Sequence, residues 1–94
     1  MVEDRMRKIY FDFYHATYGK SSLDRKIKEL IANAASLGFK CQGCLNGQIK
    51  KAKKFGATPE EISEAITIAM GVAAASVVDL TDIAAERLQI KHFE

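Results

Sequence analysis

One proline occurs in the 94 residues, and it stands where a helix accepts it best. In "GATPEEI", residues 56–62, Thr58 is a capping residue and Pro59 takes the first helical position. The missing proline N–H would have no partner there in any case. Glu61 completes a capping box with Thr58, and Gly56 stops whatever precedes it. Strand-like alternation of apolar and polar residues is absent along the rest of the chain. Apolar residues instead recur three and four apart, the spacing of one helix face. A chain punctuated in this way is all-α.

The same signals divide the chain into five expected helices. The first covers about residues 3–14, with Met6, Ile9, Tyr10 and Phe13 on one face, and "HATYGKSS" breaks it with Gly19 as the stop. A second starts at a capping box, Ser21 with Asp24, and closes at Gly38; Leu23, Ile27, Leu30, Ile31 and Ala34 form its stripe. The third runs from the cysteines to Phe55. The fourth starts at Thr58 and carries Ile62, Ala65, Ile66, Ala69 and Met70 on its apolar face. Residues 71–76 are small and read as a tight link or kink. A fifth helix follows over about residues 76–89, with Leu80, Ile83, Ala84 and Leu88 inward. No repeat, linker or low-complexity segment divides the chain, so residues 1–94 read as one domain.

Hydrophobic residues make up 48% of the sequence, much of it alanine. A chain this short buries a limited share of its surface alone, so part of that apolar content is expected between subunits. Net charge is +2 and the pI is about 8.6, too mild to imply nucleic acid. Lys50, Lys51, Lys53 and Lys54 read as a solvated helix face. The start, "MVEDRMRKIYFDF", never reaches the apolar segment of a signal peptide. The longest uncharged run, residues 65–78, is short for a membrane span and reads as core helix. A cytoplasmic protein without membrane or nucleic-acid partners is the expectation.

In that compartment thiols are kept reduced, which favours a working cysteine pair over a structural staple. The only two cysteines are Cys41 and Cys44, in "KCQGCLNGQ". On a helical wheel of 100° per residue, Cys41, Cys44, Leu45, Gln48, Ile49, Ala52 and Phe55 share an arc of roughly 140°. Three readings compete: two inert buried thiols, half of a metal site, and a reversible dithiol. A metal needs about four ligands, and His15 and His92 lie far off without ligand spacing; zinc shared between subunits is the form left open. The dithiol has geometry in its favour. Residues three apart on a helix are within disulfide reach, and free N–H groups at a helix start stabilise a thiolate. Cys41, nearer the helix start, is expected to be the more exposed sulfur and Cys44 the deeper one.

The stretch "LDRKIKELIANAASLGFKCQGCLNGQIKKAKKFGATPEEISEAI" resembles the alkylhydroperoxidase AhpD-like branch of the carboxymuconolactone decarboxylase family. That branch has a glutamate, eleven residues, C-x-x-C, and a histidine four residues after the second cysteine. Glu29 stands twelve residues before Cys41, as the pattern asks. The resemblance implies an all-helical, trimeric or hexameric enzyme without a cofactor or metal. Its cysteines reduce a peroxide, cycle through a disulfide and are reduced again by a thiol partner, while Glu29 handles protons. The decarboxylase branch, acting on a small lactone acid, generally lacks the cysteine pair. Gln48 departs from the pattern, standing where the histidine is expected, and glutamine cannot take a proton. A non-catalytic helical assembly module is therefore the other reading. By helical spacing alone, Glu29 lies opposite the apolar stripe and pairs with Arg25 in solvent; the resemblance instead assigns it to the site.

Overall fold

The computed structural model describes residues 1–90, and its order is α1 (Asp4–Tyr18), α2 (Arg25–Gly38), α3 (Gln42–Lys54) and α4 (Pro59–Arg87). No strand occurs among them. Helices α2 and α3 pack as a hairpin, and the first half of α4 lies across α2.

The helix termini show why these residues form these elements. The Thr58 hydroxyl accepts from Glu61 N at 3.1 Å, and Glu61 Oε1 accepts from Thr58 N at 2.9 Å, so the predicted box is closed. The cap of α2 is Asp24, whose carboxylate accepts from Ile27 N at 2.9 Å; the expected start at Ser21 lies one turn too early. Gly19 ends α1 as expected, but the helix runs on through Tyr18. The turn into α3 uses Lys40 at φ 53°, and Gly56 takes φ 91° after α3, a conformation glycine adopts without steric cost.

Two further expectations are corrected. The fourth and fifth helices are one α-helix of 29 residues. Residues 71–76 are one glycine, one valine, three alanines and a serine, and no proline interrupts the hydrogen-bond ladder. This helix is also long and apolar enough, by length and composition, to cross a membrane.

The second correction concerns which face of α2 is buried. Among the described residues the buried hydrophobic core is small: Ala52, Ala57 and Ile62, with Leu30 and Ile66 against it. The largest fully buried side chains are Glu29 and Asn33. Leu23, Ile27 and Ile31 of the expected core stripe are 40–54% exposed. The polar side of α2 thus faces α3, while its apolar stripe is left largely open. Leu80, Ile83, Ala84 and Leu88 are exposed as well. The radius of gyration is 18.0 Å, against about 12 Å for a compact chain of this length. Accessible surface is 7798 Å², about 2,400 Å² more than a compact 10.4 kDa monomer exposes.

Candidate functional site

Cys41 and Cys44 are joined in a disulfide, with Cα atoms 5.2 Å apart. Cys41 is the N-cap of α3, and its sulfur accepts from Cys44 N at 3.3 Å. Cys41 N donates to Ser36 O at 2.9 Å, tying the pair to the end of α2. Both sulfurs therefore sit at a helix start with free N–H groups around them. The expected order of exposure is reversed: Cys41 is half-buried and Cys44 exposed. Capping turns the Cys41 side chain back over the first turn, whereas Cys44 projects from the turn itself.

Both cysteines and Gln48 line a cavity of about 300 Å³ between α1, α2 and the start of α3. Aromatic rings from α1 (Tyr10, Phe13, Tyr14 and Tyr18) form one side, and Phe39 closes part of the rim. Gln48 is half-buried on the same face of α3, one turn after Cys44.

Glu29 is fully buried. Its Oε1 accepts from Arg25 Nε at 2.8 Å, so the i−4 pairing holds, but inside the protein. The Arg25 guanidinium lies 4.2 Å from the Phe55 ring centroid and 5.0 Å from that of Tyr18, which holds the arginine in place. Asn33 fastens the two helices together. Its Nδ2 donates to the backbone oxygens of Glu29 at 2.6 Å and Gln48 at 3.1 Å. Glu29 Oε2, Asn33 Oδ1 and Gln48 Oε1 are buried without a partner. Three unmatched acceptors on facing helices are costly in a fold that needs only packing, and such groups concentrate where chemistry is done.

Four residues that spacing alone did not single out complete the surroundings: Lys51, Tyr14, Tyr18 and Asn33. Lys51, read as solvated, is half-buried and donates from Nζ to the Tyr14 hydroxyl. That hydrogen bond holds the Lys51 ammonium above its ordinary 10.5. Burial, followed by the Glu29 charge, raises the Tyr18 phenol above 10.0. Tyr14 and Tyr18 lie beyond or at the edge of the apolar pattern of the first helix, and only their four-residue spacing hinted at a shared face. Asn33 carried no signal, because an asparagine opposite an apolar stripe reads as solvated. His15 is exposed, with its ring 5.7 Å from Tyr14, and does not line the cavity. His92 lies outside the described residues. Among the described residues no group of three histidine, cysteine or acidic side chains is placed to hold a metal.

A helical frame, a cysteine pair at a helix start and a buried glutamate from the neighbouring helix define a class, and sequence comparison agrees with it. The carboxymuconolactone decarboxylase family model matches residues 5–86, and the chain belongs to that family. It is 40% identical over 52 residues to "Uncharacterized protein 4 in cox locus" of Paracoccus denitrificans, a match covering 55% of this chain and 47% of that protein. The chain thus spans about half the length of the curated relative it matches. A crystal structure of a structural-genomics target from Methanobacterium thermoautotrophicum has the same fold, with a TM-score of 0.80 at 24% identity over 85% of this chain and 90% of that one.

Proposed function

We propose that this protein is a cytoplasmic dithiol oxidoreductase that reduces peroxides or disulfides through Cys41 and Cys44. The observation that carries the reading is the disulfide between the two cysteines, at a helix start and open to a cavity. In the reduced state one sulfur attacks as a thiolate, favoured by the N–H groups of the first turn of α3. The other sulfur then displaces the product of that attack and closes the disulfide. An external thiol reopens it. Cys44, the more exposed sulfur, is the one offered to that reductant. Glu29 is the buried carboxyl that exchanges protons with the site, and Gln48 positions water or a thiol by hydrogen bonding without titrating.

The assembly is a homo-oligomer, a trimer or hexamer in this reading. A standard interface removes about 800 Å² from each partner. The chain's surplus of exposed surface is about three times that, which suits contact with more than one copy. The open stripe of α2 and the second half of α4 are the surfaces such contacts would cover.

Thiol-dependent consumption of an organic hydroperoxide in wild type, Cys41→Ser and Cys44→Ser tests the chemistry. Turnover and disulfide formation should be present in wild type and absent from either variant. If wild type consumes no more peroxide than the double variant, and both reduced thiols alkylate slowly with an ordinary pH profile, the chain is an assembly module and not a redox enzyme. If turnover of a small lactone acid survives loss of both cysteines, the decarboxylase-like reading replaces this one.

A further inference from the structure

Peroxide reduction releases an oxygen that must be protonated, and the position that would supply the proton in the resembling pattern is Gln48. The cavity itself offers another source. Three tyrosines line it with the cysteines. Tyr10 is 55% exposed. Tyr18 is held in the phenol form by burial and the neighbouring Glu29 charge. Tyr14 is half-buried, and its hydroxyl accepts from Lys51 Nζ. The same ammonium lies 4.7 Å from the Tyr14 ring centroid and 6.0 Å from that of Tyr18. Lys51 is three residues after Gln48 on α3, so the two share a helix face. A cation fixed on a phenol oxygen favours the phenolate that remains when the proton leaves.

We propose that Tyr14 is the proton donor of the cysteine cavity, with Lys51 as the positioning residue that holds its hydroxyl and stabilises its phenolate. This rests on the dithiol reading above. The attacking thiolate takes the terminal OH of a hydroperoxide ROOH; an S–O bond forms and the O–O bond breaks. The departing RO⁻ receives the Tyr14 proton and leaves as an alcohol, and the phenolate is held by the Lys51 ammonium. The second thiol attacks the sulfenic acid, the S–O bond breaks, and water departs as the disulfide forms. The proton lost when the first thiol became a thiolate restores Tyr14. Two thiols are oxidised and one O–O bond is reduced, and an external dithiol returns the electrons.

The titratable and charged groups facing this pair are Tyr10, His15 and Tyr18 from α1 and Glu29 from α2, while Arg25 lies over the Tyr18 ring. Values of kcat and KM, with cumene hydroperoxide as substrate and dithiothreitol as reductant, test the proposal. Tyr14→Phe keeps the ring and should lose about 10²-fold or more in kcat/KM. Lys51→Met should lower kcat with KM little changed, because the cation that holds the phenolate after the proton leaves is gone; Lys51→Arg should recover most of that loss. Gln48→His should restore turnover in the Tyr14→Phe background. If Tyr14→Phe keeps wild-type kcat/KM while turnover still requires both cysteines, the proton donor lies elsewhere and the dithiol reading stands. If Tyr14→Phe is inactive but neither the rescue nor the Lys51→Met loss occurs, Tyr14 is structural and the proposal is wrong. If wild type shows no cysteine-dependent peroxide turnover, both readings fall together. Should Tyr14→Phe misfold by circular dichroism, Lys51→Met and Lys51→Arg decide alone: equal kcat in the two overturns the proposal.

Discussion

Glu29 shows how helical spacing can misplace a single side chain. Helical spacing places it opposite Leu23, Ile27 and Ile31, a position that normally faces water. In the structure that side of α2 is the buried one, with Glu29 and Asn33 fully enclosed. Taking a carboxylate out of water costs several kcal/mol unless it is paired and hydrogen-bonded, and here one oxygen meets Arg25 while the other has no partner. Glu29→Gln separates the two roles of the group. It keeps an acceptor for Arg25 and nearly the same volume, so the melting temperature should change little. If Glu29 moves protons in the site, peroxide turnover should fall by about 10²-fold or more, as expected for a lost acid–base group. Parallel thermal melts and peroxide assays check this; unchanged turnover would leave Glu29 as packing. Gln48→His in the wild-type background should raise turnover, since it returns a titrating group one turn after Cys44.

The helices differ in how much of each was legible. The start of α4 was the clearest signal, because Thr58, Pro59 and Glu61 act through local hydrogen bonds that no distant contact is needed to form. Its length is not legible in the sequence, since a run of small residues is compatible with both a link and a helix, and only continuous backbone pairing distinguishes them. The start of α4 is also tied to α2 by Lys26 Nζ, 2.8 Å from Glu61 Oε2. Glu61 is held below its ordinary 4.5, first by Lys26 and then by the Thr58 backbone, and Lys26 is held above 10.5 by Glu61. A depressed carboxyl contributes stability above its unfolded value and loses it as pH falls through the folded one. A raised lysine contributes below about 10.5 and loses it as pH rises further. The contribution is therefore greatest between about pH 5 and pH 10. Glu61→Gln can keep the capping hydrogen bonds and removes the charge. Its melting temperature should lie below wild type at pH 7 in low salt and converge with it below about pH 4. Thermal melts across pH would show this, and 1 M salt should shrink the gap at pH 7.

The chain as a whole leaves an unusual amount of apolar surface open. Ile68, Met70 and Val72, in the middle of α4, are 64–66% exposed, and Ile68 shares the groove between α2 and α4 with Ile27 and Ile31. A second copy covering this surface is the expected outcome in solution. Sedimentation should give a multimer, and Ile68→Asp should shift it towards monomer while leaving the capped start of α4 intact. If wild type sediments as a monomer, the homo-oligomer reading fails. If it partitions into vesicles, the 29-residue helix is meeting lipid instead of protein.

What the sequence determined by itself was most of what acts over a few residues. That covers the helical class, the stops at Gly19 and Gly56, the capping box of α4, and a cysteine pair three apart with Gln48 one turn beyond. What the tertiary structure decided was which sides of those helices meet. Period alone marks an apolar face but does not say whether its partner is the same chain or another. In α2 the polar face turned inward, carrying Glu29 and Asn33 to α3, and the apolar stripe was left outward. Lys51 changed meaning for the same reason: four lysines within five residues look solvated until α1 lays Tyr14 against one of them. Local hydrogen bonding makes helices from sequence, but a pairing between residues 37 apart exists only once the chain has folded.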